Sequence, residues 1–378
     1  MSAKQLDLFM DGEDEPTAKQ ERDIERRRAE AAQYIARPYG AKVALAENRI
    51  WEWHDTCWAN DKDYHVSVGG LDSITLLALV RKVLGPDTIG VSVSQLEDKS
   101  VQRVHDEMGV VEINPMKTKV RVLKELGFPV VSKAKANKIH YLLDKDADKQ
   151  TFIHAIMTGD MGAQGHFQHS EKIKLPDKWI ELFGGNYAYM RPDLNCKTPN
   201  FKVSSECCYW LKELPADKWA KEHNSWPFLG LMQSEGGQRE LGLLKNGCNY
   251  VGKSTARSCP FNYFTRQDLL QLALDLNVHV PEIYGEIVRE PDGTLRTTKA
   301  QRTGCSMCGF GIHMEKRPHR FDRLREQNPK EWHFWMYECV TDDETGEKYG
   351  WGRVLDWIGV EWENPWDTDF AGQTSIWD

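Results

Sequence analysis

The chain has 378 residues, 40% hydrophobic and 28% charged, the profile of a globular protein long enough for two or three cores. Its 49 Lys and Arg against 57 Asp and Glu leave a net charge of −8, which excludes a uniformly basic nucleic-acid coat and confines any polyanion site to a local patch. The longest largely apolar run, Ile74 to Val80, falls far short of the ~20 residues a membrane span needs, and the polar N-terminus has no signal core. The expected location is therefore the cytoplasm, with no membrane partner. Nine cysteines in a reducing compartment point to metal or thiol chemistry before disulfides.

Residues 1–16 read as a disordered tail, with the apolar island Leu6-Asp7-Leu8-Phe9 ahead of acidic residues and Pro16. Residues 17–58 form N-terminal helices, one over Thr17 to Arg37 and a second from Ala41 to Cys57, separated by Pro38-Tyr39-Gly40. The rhythm then changes. Tyr64 to Val68 reads as a strand, Ser73 to Leu84 as a helix, Thr88 to Val93 as a strand and Lys99 to Met108 as a helix. Val110 to Ile113 is a strand and Lys117 to Leu126 a helix. Such alternation predicts an α/β fold, a doubly wound and mostly parallel sheet over 59–290. Residues 134–200 carry no clear period. Pro227 to Met232 reads as a further strand, and Thr265 caps a helix running to Leu276. Residues 291–378 form a Cys-, Arg- and Trp-rich C-terminal region.

Val68-Gly69-Gly70-Leu71-Asp72-Ser73 ends the first strand and opens a helix. In that geometry glycines let backbone amides approach phosphate, and the helix N-terminus attracts the anion. Ser73 adds a hydroxyl and Asp72 a ligand for phosphate-bridging magnesium. An ordinary tight connection is the other reading of the same spacing.

These residues resemble the PP-loop superfamily of ATP pyrophosphatases and, within it, the phosphoadenosine phosphosulfate (PAPS) reductase family, whose loop reads Ser-Gly-Gly-Lys-Asp-Ser. Val68 and Leu71 replace the first Ser and the Lys. The resemblance spans roughly residues 42 to 335 and implies an adenine nucleotide alpha hydrolase-like fold. Val68, Gly69, Gly70, Leu71, Asp72 and Ser73, with Ser94 and Glu97 near the adenosine, would bind ATP or a PAPS-like nucleotide with Mg. Gly127 to Lys133 is similar to the family's Gly-Tyr-Pro-X-X-Ser-Lys segment, which makes Lys133 a catalytic candidate beside Asp72 and Ser73. Gly230 to Arg239 looks like the substrate-side loop, with Ser234, Glu235 and Arg239 as substrate contacts. The alternatives are a solvated helix start for Lys133 and an i,i+4 surface pair for Glu235 and Arg239.

Cys207-Cys208 and the CxxC of Cys305 and Cys308, flanked by Gly304 and Gly309, have metal-centre spacing. The arrangement resembles the signature that holds a four-iron four-sulfur (4Fe–4S) cluster in adenylylsulfate-reducing members of the family, with Cys248 as a fifth candidate. A four-thiolate zinc site and buried unliganded thiols are the other two readings. Arg302, just before the CxxC, is a catalytic candidate. The reductases' Glu-Cys-Gly-Leu-His tail has no counterpart, since Val340 follows Glu338-Cys339.

Six Lys and Arg between Lys316 and Lys330 either grip a nucleic acid or form the solvated side of a helix with Phe321 and Leu324 inward. The acidic, Trp-rich stretch after Arg353 would repel nucleic acid. Gln5, Leu6, Asp7, Leu8 and Phe9 resemble the pentapeptide by which bacterial and phage proteins bind the replication sliding clamp; a loose amphipathic turn folded back onto the domain is the other reading. The leading expectation is a protein that binds an adenine nucleotide and an iron–sulfur cluster, and activates or thiolates a nucleotide or nucleic acid. A sulfonucleotide reductase is a second. A catalytically degenerate module that docks on the clamp and regulates a partner is a third.

Overall fold

The structure, a computed structural model, describes residues 18–145, 148–160, 173–253 and 255–363. The chain divides into two compact units, Met1–Met116 with Lys212–Ser306, and Lys117–Leu211 with Met307–Asp378.

The first unit begins with helices α1 (Ala18–Ile35) and α2 (Tyr39–Ala59). Next come β1 (Asp63–Ser67), α3 (Leu71–Leu84), β2 (Gly90–Ser92), α4 (Lys99–Glu107) and β3 (Val111–Glu112). After the second unit's first segment the chain returns as α5 (Leu214–Glu222), β4 (Ser225–Leu229), α6 (Gly237–Asn246), β5 (Asn249–Val251) and β6 (Ala256–Ser258). Helix α7 (Arg266–Asp275) and the hairpin of β7 (Ile287–Arg289) and β8 (Leu295–Thr297) complete it. The sheet has the order β3-β2-β1-β4-β6-β5. Every pairing is parallel except that of β5 with β6. This is the α/β architecture expected from the alternation of strand and helix patterns. The order turns back at β1 and β4, the switch point at which open parallel sheets form a crevice beyond their strand ends.

Strand parity explains the two faces of this sheet. Tyr64 and Val66 of β1 meet Phe228 of β4 and Trp53 of α2, with Trp53 and Phe228 fully buried. Leu71, Ile74, Leu76 and Leu77 of α3 and Leu269, Leu270 and Leu272 of α7 close this core. His65 and Ser67 point the other way, where α5 stands and His65 meets the Trp219 ring edge-on at 4.9 Å. The fourth strand starts two residues earlier than its sequence pattern suggested, because Pro227 sits inside it, opposite His65. A proline without an N–H donor is uncommon between two partner strands, so the pattern marked it as a boundary.

The second unit has its own core. Phe128, Trp351 and Phe321 are each no more than 1% exposed, with the Trp351 ring 5.0 Å from Phe128 and 5.3 Å from Phe321. Helices Lys133–Leu143, Gln150–Thr158, Asp177–Phe183 and Trp351–Ile358 pack around them. Among the described residues no helix is long and apolar enough to cross a membrane.

Candidate functional site at the end of the central strand

The turn after β1 is fixed from several sides, all within the first unit. The Gly69 N–H donates to Ser73 Oγ at 2.7 Å, and that hydroxyl donates to the Gly70 carbonyl at 3.0 Å. His105 Nε2 on α4 lies 2.8 Å from the Gly69 carbonyl, and Nδ1 lies 2.9 Å from Ser94 Oγ. A carbonyl only accepts, so Nε2 carries the proton. Burial lowers the His105 pKa, which leaves Nδ1 to accept from Ser94. The Leu71 N–H donates to the Tyr284 hydroxyl at 3.1 Å, and that hydroxyl bonds Thr303 Oγ1 at 2.7 Å. Glycine is required at two positions by close approach. A Cβ on Gly70 would lie 2.3 Å from the Tyr284 oxygen, and one on Gly230, after β4, 3.2 Å from Ser73 Cα and N.

An acid–arginine cluster surrounds the start of α3. Arg266 Nη1 bonds Asp72 Oδ1 at 2.5 Å while Nη2 bonds the Gln301 carbonyl at 2.9 Å. The Glu235 side chain is 2% exposed, pairs with Arg239 one turn on, and meets Arg302 Nη2 at 3.1 Å. Burial raises the Asp72 pKa above the ordinary carboxylate range. Arg266 and Arg302 pull it back, and Glu235 adds to the rise. Two carboxylates and three guanidiniums leave one net positive charge beside the turn. Of the residues singled out from sequence, Asp72, Glu235, Arg239 and Arg302 belong to this cluster. Ser234 instead donates to the Phe264 carbonyl at 2.8 Å.

A cavity of about 730 Å³ opens on the α5 face of the sheet, lined at the strands' C-terminal ends by Val68, Gly69, Val93, Glu97 and Lys212. Its volume suits a nucleotide-sized ligand. Lys212 Nζ bonds Glu97 Oε1 at 2.5 Å and also the Cys305 thiol. Burial would lower its pKa, but Cys305 and Glu97 outweigh that and raise it. Leu71 is fully buried in the opposite core, so the position that the PP-loop pattern gives to Lys cannot reach a phosphate. Lys212 brings a cation to the same cavity from a distant part of the chain. Arg266, Lys212, His105 and Tyr284 were not legible as site residues, because each joins the turn from an element that only the fold brings near.

The cysteines divide between the units: Cys248 and Cys305 lie in the first, Cys207, Cys208 and Cys308 in the second. Cys248 is buried, its pKa raised by burial, and accepts from Asn262 Nδ2 at 3.2 Å. Burial pushes Cys57, Cys259 and Cys339 up to about 12, as expected of structural thiols. Among the described residues no three His, Cys, Asp or Glu side chains converge closely enough to hold a metal ion.

Lys133 is exposed at the start of helix Lys133–Leu143 in the second unit. In the basic stretch, Phe321 is buried and Leu324 packs on the core. Arg317 pairs with Asp322 at 2.8 Å, Arg320 pairs with Glu315, and Arg325 lies 4.7 Å over Trp332. Gln5, Leu6, Asp7, Leu8 and Phe9 lie outside the described residues. One spacing in the sequence went unread. Gly247, Gly252 and Lys253 stand as in the G-x-x-x-x-G-K phosphate loop. Here that run forms β5 and the β5–β6 hairpin rather than a strand-to-helix turn, so it is no such cradle, although Lys253 lines the cavity.

The fold and the turn define a Rossmann-like α/β protein with a mostly parallel six-stranded sheet. No known family model matches the chain, and no curated protein matches it.

Proposed function

We propose that this cytoplasmic protein binds the phosphates of an adenine nucleotide, ATP or a PAPS-like one, over the Gly69–Gly70 turn and activates a nucleotide or nucleic acid. The observation that carries the reading is the glycine turn at the switch point, with a nucleotide-sized cavity on one side and the Asp72–Arg266–Glu235–Arg302 cluster at the helix start. Asp72 would hold magnesium on the phosphates, while Arg302 and Lys212 would offset charge on a leaving pyrophosphate. With ATP, an acceptor oxygen bonds the α-phosphorus, the bridging P–O bond breaks and pyrophosphate leaves with the electron pair; water or a thiol then takes the place of AMP on the acceptor, and AMP leaves with the electron pair of the broken bond.

Iron–sulfur chemistry enters this reading only through donor type: Cys207, Cys208, Cys305 and Cys308, with Cys248 in reserve, are thiolates of the kind that suits iron–sulfur or zinc. Such a cluster would supply sulfur or redox chemistry. The Gln5–Phe9 peptide would tether the protein to a sliding clamp on DNA. Anaerobic protein given α-labelled ATP and candidate nucleic acids should release AMP and pyrophosphate, with about four irons and four sulfides per chain by direct assay.

The burial of Leu71 favours a second reading, a clamp-docked regulator that binds nucleotide without turning it over. ATP bound tightly but never cleaved would select that reading. Absence of both binding and cleavage would overturn the two together.

A further inference from the structure

The cavity does not stop at the crevice where parallel sheets bind ligands. Strand register places its other end at the opposite edge of the sheet. Asp63 pairs with Ser225 and Phe228 with Ser258, so Lys62 and Asn224 stand at one level and Thr255 one residue further along, each just before its strand, β1, β4 or β6. All three line the cavity, together with Lys221 at the end of α5 and Lys253 in the hairpin. Lys62 and Gly69 are seven residues apart along β1, about 23 Å at 3.3 Å per residue.

The space exists because of what faces it. Helix α5 presents Ala216 and Ala220, and the strands present Ser67, Ser225 and Pro227, where the opposite face carries Trp53 and Phe228. Small side chains on both sides leave a gap that large ones would fill. The floor is polar, with His65 Nδ1 2.7 Å from Ser225 Oγ, both residues buried. Lys62 bonds Asn224 Oδ1, and the Asn224 amide donates to the Asp61 carbonyl at 2.6 Å, which holds one lysine at the mouth. Arg257 lines the same region, and its buried Nε has no hydrogen-bond partner among the described residues.

Charge at this mouth favours an anion. Of the charged side chains lining this end, Lys62, Lys221, Lys253 and Arg257 outnumber Asp217; the C-terminal end of α5 adds roughly half a negative charge, and Asp61 and Asp63 flank Lys62 in sequence. We infer that this end of the cavity binds a second phosphate-bearing ligand, separate from any nucleotide on the Gly69–Gly70 turn. A mononucleotide is too short to span both ends, so the second phosphate belongs to a different molecule or to an extended strand. The inference rests on the lower cavity alone and survives if the turn binds nothing.

The test uses the full chain, with inorganic pyrophosphate and a 5′-phosphorylated oligothymidylate of eight nucleotides as probes, read by calorimetry. The combined variant Lys62→Ala, Lys221→Ala and Lys253→Ala should weaken the responding probe at least tenfold. Ala220→Phe, which fills the cavity without changing charge, should do the same. A response to both probes identifies a free phosphate subsite, and a response to the oligonucleotide alone identifies a strand. Two results overturn the inference: neither probe binds, or Ala220→Phe binds as tightly as the native chain, which would mark simple adsorption to surface lysines. A second filling variant, Ala216→Leu, repeats the test if the first unfolds.

Discussion

The Gly70 turn makes a prediction whose size follows from its contacts. A methyl group at Gly70 would sit 2.3 Å from the Tyr284 hydroxyl and 3.0 Å from Thr303 Oγ1, yet 3.6 Å from the Tyr284 ring carbon that bears the oxygen. The severe clash is therefore with one atom, and Thr303 Oγ1 is a tight second neighbour. Gly70 has φ −77° and ψ −167°, which alanine adopts without strain. Gly70→Ala should expel the hydroxyl, breaking its bonds to the Leu71 N–H and to Thr303. At roughly 1 kcal/mol per bond, plus a buried N–H left unmade, the cost is about 2–4 kcal/mol. Tyr284→Phe deletes the same two bonds and strands the same N–H, so it should also cost about 2–4 kcal/mol. In the double variant the offending oxygen is gone and no further bond is lost. It should cost about 2–4 kcal/mol, as either single variant does, rather than the sum of the two, a coupling that marks direct contact. Urea unfolding of the full chain, followed by circular dichroism, measures all three. Additive costs would show that the Tyr284 hydroxyl does not close the turn.

Three further predictions test other parts of the first unit. Because burial raises the Asp72 pKa and Arg266 holds it down, magnesium-dependent nucleotide binding should fade with falling pH above the ordinary carboxylate range, and Arg266→Ala should move that limb higher; calorimetry across pH reads it, and an unshifted limb counts against the pairing. Burial, aided by His223, pushes the His65 pKa down to about 4, so the folded state binds fewer protons than the unfolded one below pH 6.5. Stability should drop by up to roughly 3 kcal/mol as pH falls from 6.5 to 4, and His65→Gln should flatten that slope in acid urea titrations. Lys42 and Asp268 form an ion pair at 2.5 Å with side chains 5% and 9% exposed, so Lys42→Met should cost about 3–5 kcal/mol in urea unfolding by stranding a buried carboxylate; a loss under 1 kcal/mol would show that the Thr265 bonds to Asp268 suffice.

The architecture was legible where pattern and packing coincide. Strands alternating with helices from Tyr64 to Leu126 announced the parallel sheet, and Thr265 announced its helix through a capping box with Asp268. The segment 134–200 was not legible, because its buried aromatic residues, such as Trp179, Phe183 and Tyr187, sit on short elements that carry little period. In the site, Gly69, Gly70 and Asp72 could be read because a turn writes its needs locally. Tyr284, 213 residues from the Leu71 amide it accepts from, could not. Ser94 was placed near a nucleotide by the family resemblance, but its hydroxyl is turned to His105, a contact set by the packing of α4. The basic stretch shows the reverse. Its charges left a nucleic-acid grip and a solvated helix face both open, and each of Arg317 and Arg320 meets a carboxylate close by in sequence.

The central claim is that nucleotide phosphates sit on the turn after β1. Gly69 offers a direct test, since a Cβ there meets Glu97 Oε1 and Ser73 Oγ only at 3.8 Å, an ordinary contact. Gly69→Val should therefore fold while filling the space over the turn. Calorimetric titration of the native chain with magnesium ATP should show binding, and Gly69→Val should weaken it at least tenfold with little change in the unfolding midpoint. Equal affinity in the two proteins, or no binding to the native chain, would contradict the account.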